Sequence, residues 1–562
     1  MNGRKLIGIA AAATLFAAVA TGSQARTQRA APKPPPNIIV IETDDQTLEE
    51  LAVLPKTRRL IGDEGVTFDN NFDSFSLCCP SRATLLTGQY SHNNGVRGNQ
   101  LPEGGYYKLD STNTLAVWLQ RGGYYTAHVG KYLNGYGTRN PREIPPGWSD
   151  WHGAVDPSTY RYYNYTLNEN GILHTYCAPP RKASCYQTDV YRDKADEIIR
   201  RQIPQSQPLF MWVAFLADHS GGPRESDDPA GLGTPVPAPR HRNAFRNLPL
   251  PTPPSLNEAD VSDKPVSIQR RRLMTQAQIN AVRENYQQRR ESLLAVDDAV
   301  ESIVNTLAAS GELENTMIMF TSDNGFFHGE HRVRSGKVLL YEPSIRVPLL
   351  LRGPGIPQGV HRKQLTMNVD YAPTIVAAAG VRAGRVMDGM SLLPLALDGA
   401  RQPGRDLLVD NQPGAAHFDA VRTRRFKYAE YATGERELYD LARDPYELQS
   451  LHIDPRYASV RTSLSTRLHR LVACRGSGCR VGPPLRLSLR CVRRSFVARV
   501  RGSGIQLATF YVNGRRVRAD RKAPFAVAIG RGRQPTRGLL RVRVTLSFDR
   551  MVTIDRSFTR CR

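Results

Sequence analysis

Four short, uninterrupted apolar runs stand out in the first 330 positions, and each ends in a polar cluster. They are NIIVIETDDQ (37–46), YYTAHVGK (124–131), PLFMWVAFLADH (208–219) and TMIMFTSDNG (316–325). Runs of this length, apolar at every position, predict strands buried on both faces. Between them lie stretches of helical period, as in 289–309, where Leu293, Leu294, Val296, Val300, Ile303, Val304 and Leu307 mark an apolar stripe. Buried strands alternating with helices predict an α/β domain: a large, mostly parallel or mixed sheet sandwiched by helices. From 405 to 473, RRFKYAEY and ELYDLARDPYEL predict a small antiparallel sheet followed by a helix. Beyond Pro484 the period changes to two, with turns such as Asn513-Gly514, which predicts an all-β sandwich.

The first residues combine a basic start (Arg4, Lys5), an apolar run from Leu6 to Ala20 and small residues at Ser23 and Ala25. This predicts a secretory leader cleaved after Ala25 and a secreted, extracellular or periplasmic product. The expected organisation is a leader over 1–25, a Pro-rich linker over 26–36, a main domain over 37–404, a small subdomain over 405–480 and a basic sandwich over 481–562. In an oxidising compartment cysteines pair. Six of the eight form plausible couples by position, Cys177 with Cys185, Cys474 with Cys479 and Cys491 with Cys561, leaving Cys78 and Cys79. The net charge of +24 is uneven: residues 475–562 hold 22 basic and 3 acidic side chains. A tail of this kind can contact a polyanion, but no nucleic-acid motif accompanies it and no nucleic-acid partner is expected.

In parallel sheets ligands bind beyond the carboxyl ends of the strands, and every polar cluster sits there. Asp44 and Asp45 follow the first run, Lys131 the second, His219 the third, Asp323 and Asn324 the fourth. Each alone also reads as turn, cap or core chemistry; four at equivalent strand ends do not. The oxygen donors suit Ca²⁺ or Mg²⁺ rather than Zn²⁺. Arg82, Lys131, His219 and Lys337 add the positive charge that a polyoxygen anion requires. In LCCPSRATLLTGQY (77–90) a helix is expected to start near Pro80, its dipole aimed at Cys78. A thiol at that end, beside Arg82, is expected to have a low pKa. These residues describe a metal-dependent hydrolase of a phosphate or sulfate ester with an unusual nucleophile at Cys78.

Cys78-Cys79-Pro80-Ser81-Arg82, continuing to Leu86-Thr87-Gly88, resembles the sulfatase signature C-x-P-S-R, and GYYTAHVGKYL (123–133) resembles the second signature of that family. The resemblance extends over roughly 36–479 and implies an alkaline phosphatase-like fold. It also implies that Cys78 is converted by a formylglycine-generating enzyme to Cα-formylglycine, whose hydrate attacks the sulfate sulfur. Matched position by position, Asp44, Asp45, Asp323 and Asn324 are implied Ca²⁺ ligands, with modified Cys78 completing the shell. Arg82 steadies the formylglycine diol, Lys131 and Lys337 bind sulfate, and His219 contacts the sulfate or the leaving oxygen. Many arylsulfatases carry a histidine two positions after the lysine matched by Lys131; here that position is Leu133, and His328 and His331 are the candidate replacements. GKYLN, PPGW (145–148), YYNYTLNENG (162–171) and CRGSGC (474–479) resemble the N-acetylglucosamine-6-sulfatase group, which implies a sulfated sugar or polysaccharide substrate. The competing readings are a phosphodiester or phosphonate monoester hydrolase of the same superfamily, and a polyanion-binding protein acting through the basic tail.

Overall fold

The computed structural model describes residues 35–561 apart from 180–181, 227, 400–404, 481–484, 493–494, 502–504, 531, 533 and 547–549. The expected leader, and the expected linker up to residue 34, lie outside the described residues.

Ten strands form the main sheet: β1 (Asn37–Thr43), β2 (Val66–Phe72), β3 (Tyr125–Gly130), β4 (Asp150–Ala154), β5 (Tyr165–Glu169), β6 (Ile172–Tyr176), β7 (Leu209–Ala214), β8 (Thr316–Ser322), β9 (Leu349–Arg352) and β10 (Val360–Met367). Their order is β10-β2-β9-β8-β1-β7-β3-β4-β5-β6. The central strands β8, β1, β7, β3 and β4 run parallel. Antiparallel pairs at β9 and toward β6 make the sheet mixed.

The apolar runs are continuous because both faces are covered. In β1, Ile38 and Val40 join one core while Ile39 and Ile41 join the other, and all four are fully buried. Burying each such side chain contributes roughly 1.5–3 kcal/mol. Helices Cys78–Thr87, Leu115–Arg121 and Tyr371–Ala379 cover the first face, and Gln187–Gln202 and Gln276–Ala309 the second. The last of these is longer than its apolar stripe predicts. A capping box between Thr275 and Gln278 starts it thirteen residues before Arg289, through a segment whose polar side chains hid the period.

Strands β11 (Leu407–Asp410), β12 (Phe418–Arg422), β13 (Phe426–Tyr431) and β14 (Arg436–Asp440) form an antiparallel sheet against helix Ala458–Val472. The C-terminal strands are β15 (Arg486–Val492), β16 (Ser495–Arg501), β17 (Ile505–Val512), β18 (Arg515–Asp520), β19 (Ala526–Ile529), β20 (Arg537–Leu546) and β21 (Arg550–Thr559). They make two sheets, β15-β16-β19 and β18-β17-β20-β21, that share a core containing Phe496, Phe510, Leu540 and Val542. All three expected disulfides are present, and Cys78 and Cys79 are free and buried. Among the described residues, no helix is long and apolar enough to cross a membrane.

Candidate active site

The parallel register sets the site. Thr43 pairs with Ser322, Glu42 with Ala214, and Gly130 with Ala214, so β1, β8, β7 and β3 end at one level. Asp44, Asp45, Asp323, Asn324 and Lys131 therefore leave the sheet together. Asp45 adopts a left-handed backbone (φ 74°) that aspartate tolerates better than most residues. Gly130, immediately before Lys131, has φ 105°, and a Cβ there would stand 2.1 Å from the Ala214 carbonyl oxygen. Only glycine lets β3 turn the lysine into the site this close to β7.

Helix Cys78–Thr87 completes the cluster. It begins at Cys78, two residues earlier than the proline suggests, with Leu77 as N-cap and Gly88 (φ 64°) closing the other end. Pro80 thus occupies the third helical position, where a backbone N–H has no intrahelical partner to lose. All ten helical residues are buried.

The side chains interlock. Arg82 Nε donates to Asp323 Oδ2 at 2.9 Å, and its Nη1 donates to the Lys131 carbonyl at 3.0 Å. Its guanidinium also pairs with Asp44 at 3.4 Å and Glu42 at 3.2 Å. Lys131 Nζ donates to Asp44, and Lys337 Nζ donates to Asp45 and, at 3.0 Å, to Cys78 Sγ. The Cys78 thiol lies 3.5 Å from Asp44 Oδ1. Asp323 Oδ1 accepts the Asp45 N–H at 3.1 Å, and Asn324 Nδ2 donates to Asp45 Oδ1 at 2.6 Å. Asp44, Asp45, Cys78, Arg82, Lys131, Asp323, Asn324 and Lys337 thus form one contiguous group. Val338, following Lys337, has φ 77°, a costly conformation for a β-branched residue that the surrounding packing must enforce.

Burial works against every charge here; pairing overcomes it at Asp44 and fails to at Asp323, His219 and Cys78. Lys131, then His219, Arg82 and Lys337, hold the Asp44 carboxyl well below its usual range despite burial. Burial and neighbouring Asp44 raise Asp323, with Arg82 opposing. Burial lowers His219 to about 4 against the pull of Asp45 and Asp44. Its Nδ1 lies 2.6 Å from the Ser220 carbonyl oxygen, which only accepts. Nδ1 therefore carries the proton, and Nε2 faces the cluster bare, 3.8 Å from Asp45. The expected low-pKa thiol is not found: burial, reinforced by Asp44, pushes Cys78 up to about 12 and outweighs the two lysines.

The carboxylate and amide oxygens here suit a hard cation, beside one thiol and one imidazole. Ligand atoms of Asp44, Asp45, Cys78 and His219 lie within 4.8 Å of one another. Asn324 Oδ1, buried beside them, accepts no hydrogen bond. An orphaned buried oxygen among carboxylates is what an oxygen-seeking ion would satisfy.

Leu133, at the departure position, is buried in the apolar core beside Tyr132 and Tyr136. Neither replacement histidine contacts the cluster. His331 Nδ1 binds Glu258 at 2.6 Å and His328 faces Glu50 at 3.3 Å, both lining a separate cavity of about 850 Å³. Three residues escape the sequence reading. Glu42 is held by Arg82 from inside β1. Tyr160 places its ring 4.8 Å from Lys131 Nζ and 5.1 Å from the His219 ring. Arg289 donates to the Asp45 carbonyl at 2.9 Å and pairs with Asp218. Arg289 had a signal, because it stands in register with the apolar stripe Leu293, Val296, Val300; the other two had none.

Nucleophile position, oxygen cluster and converging cations at the ends of parallel strands define a hydrolase of anionic esters. The sulfatase family model matches residues 36–381, and the model for the C-terminal part of N-sulphoglucosamine sulphohydrolase matches 329–473. The chain is 34% identical to an arylsulfatase of Volvox carteri, with 79% of this chain and 75% of the relative covered. It is 33% identical to the human N-acetylglucosamine-6-sulfatase, with 79% and 86% covered. Its structure is similar to one solved in complex with its substrate D-glucosamine-2-N,6-O-disulfate, at TM-score 0.64 and 25% identity, covering 77% of this chain and 97% of that one. The chain belongs to the sulfatase family and is a sulfuric ester hydrolase.

Proposed function

We propose that the enzyme removes the 6-sulfate from N-acetylglucosamine 6-sulfate or a closely related sulfated glucosamine. Support comes from the relatives of that activity and from the likeness to a structure holding a disulfated glucosamine. The observation that carries the sulfate-ester chemistry of this reading is the contiguous group of Cys78, Arg82, Lys131, His219 and Lys337 with Asp44, Asp45, Asp323 and Asn324.

In this reading Asp44, Asp45, Asp323, Asn324 and the Cys78 side chain hold Ca²⁺. The bound ion would supply electrostatic stabilisation to the sulfate oxygens. Cys78 is the precursor of a formylglycine, which supplies a geminal hydroxyl as nucleophile and a second hydroxyl that releases sulfate afterwards. Lys131 and Lys337, fixed on Asp44 and Asp45, place two cations where negative charge grows on the sulfate. Arg82 clamps Asp44 and Asp323 from behind and keeps the helix terminus in register with the sheet. His219, neutral and bare at Nε2, takes a proton at the reacting oxygens.

Three disulfides and the leader-like N-terminus support export. Residues 37–404 and 405–480 would make up the catalytic unit, and the basic sandwich would hold sulfated polysaccharide near it. The deciding experiment is a substrate panel with Ca²⁺ present: N-acetylglucosamine 6-sulfate, an aryl sulfate, a heparan oligosaccharide and a phosphonate monoester. Preferential turnover of the sulfated glucosamine is expected, and preference for the phosphonate would overturn the reading.

A further inference from the structure

Beside the reaction cluster lies a cavity of about 600 Å³ whose wall includes Asn99, Tyr107, Asn134, Arg139, Asp156 and Tyr160. Its size is that of a small-ligand pocket. Tyr160 separates it from the cluster: one part of the ring meets Lys131 and His219, while the hydroxyl accepts a hydrogen bond from Asn134 Nδ2 at 2.6 Å. That hydroxyl keeps its own hydrogen free to donate. Asn99 Oδ1 accepts the backbone N–H of Cys79 at 3.1 Å, so the opposite wall is tied to the helix carrying Cys78.

The cavity differs in chemistry from the cluster it adjoins. The cluster concentrates lysine, arginine and carboxylates, whereas this wall has one carboxylate, Asp156, and one guanidinium, Arg139, which lies over the Tyr107 ring. The rest is amide, phenol and glycine backbone, with the Thr138 hydroxyl and the apolar side chains of Leu101 and Pro157. Asp156 Oδ2 accepts the Gly135 N–H at 2.6 Å, which fixes its orientation. Asn134 Oδ1 is buried and accepts no hydrogen bond. Fixed acceptors, a phenol donor and half-buried aromatic rings suit a polyhydroxylated ring.

We infer that this cavity receives the sugar ring of the sulfate ester, with Asn134 and Asp156 accepting hydrogen bonds from its hydroxyl or amide groups and Tyr160 forming the wall between ring and sulfate. The inference rests on the sulfated-glucosamine reading above and assigns these residues to specificity rather than to sulfur chemistry.

The test compares kcat/KM for N-acetylglucosamine 6-sulfate with kcat/KM for 4-nitrophenyl sulfate in the wild type, Asn134→Ala and Asp156→Asn. Asp156→Asn keeps the shape and the acceptor for Gly135, so it guards against misfolding of the alanine variant. Loss of one hydrogen bond to substrate is worth roughly 3- to 10-fold, so the sugar-to-aryl ratio should fall by about that factor in each variant, mainly through KM. Free N-acetylglucosamine should inhibit aryl sulfate hydrolysis by the wild type and do so less in both variants. An unchanged ratio in both, with unchanged inhibition, overturns the subsite while leaving the substrate reading intact. A wild type that cleaves the aryl sulfate but no sulfated glucosamine overturns both.

Discussion

The reaction cluster and the C-terminal sandwich are both rich in cationic side chains, yet they use them in opposite ways. In the cluster Arg82 is fully buried and Lys131 nearly so; Arg82 meets Glu42, Asp44 and Asp323, and Lys131 meets Asp44, all distant in sequence. In the sandwich, Arg515, Arg516 and Arg518 of β18 are exposed, and Arg541 pairs with Asp555 across an open sheet face. Charge taken out of water must be matched group by group, because an unpaired buried ion is strongly destabilising. Charge left in water can accumulate with little structural consequence. Number of cations therefore says little about where chemistry happens; burial and matching say more.

The largest contrast is chemical. Cys78→Ala should abolish turnover, by at least about 10⁴-fold, while circular dichroism stays native. Cys79→Ala, with no cluster contact, should retain most of the activity. Substantial hydrolysis by Cys78→Ala would remove the nucleophile assignment.

Next comes the matching itself. Arg82→Met leaves Asp44, Asp323 and Glu42 without their shared guanidinium and should lower stability by about 3–5 kcal/mol in urea unfolding. A loss below 1 kcal/mol would mean that the lysines alone can balance the cluster. The metal offers a related test: chelation should lower both activity and the thermal midpoint of the wild type, and Asp323→Ala should show neither response. A chelator-sensitive midpoint in that variant would exclude Asp323 as a ligand.

Acid sharpens the comparison elsewhere in the interior. His128 is fully buried among Trp151, Trp212 and Tyr132, and burial lowers it to about 3. A histidine with a depressed folded pKa binds protons more readily when unfolded. Its stability contribution is therefore full above about pH 6.5 and is lost as pH falls toward 3, on the order of a few kcal/mol across that window. His128→Phe should flatten this part of the stability profile; an equally steep acid limb would place the loss in other groups.

The smallest effects belong to the sandwich. Arg541→Ala should leave the unfolding midpoint unchanged within error, yet lower the salt needed to elute the protein from heparin resin. A chain ending at residue 480 should keep most aryl sulfate turnover and elute earlier still. Collapse of turnover in the folded truncation would give the sandwich a part in the site.

Much of this could be read from the chain. The strand ends of β1, β3, β7 and β8 announce themselves because a fully buried strand must be apolar at every position, and the polar residues that follow it stand out. The helix Gln276–Ala309 was only half legible, since its first half carries polar side chains and its start depends on one capping box. Glu42 was hidden inside an apolar run, and Tyr160 in a tyrosine-rich stretch where it ends a short 3-10 helix, since neither position differs locally from a residue of no special role.

The sequence by itself determined most element types, because periodicity and turn chemistry arise from neighbours within a few positions, and its motifs and spacings singled out the cysteine couples and the candidate residues Asp44, Asp45, Cys78, Arg82, Lys131, His219, Asp323, Asn324 and Lys337. Tertiary structure decided what those residues do to one another. Arg82 reaches Asp323 across 241 positions, and Asp45 meets Asn324 across 279. The high pKa of the Cys78 thiol, the bare Nε2 of His219 and the wall formed by Tyr160 follow from such contacts. Burial and electrostatic matching depend on distances set only when the chain closes, and no local pattern encodes them.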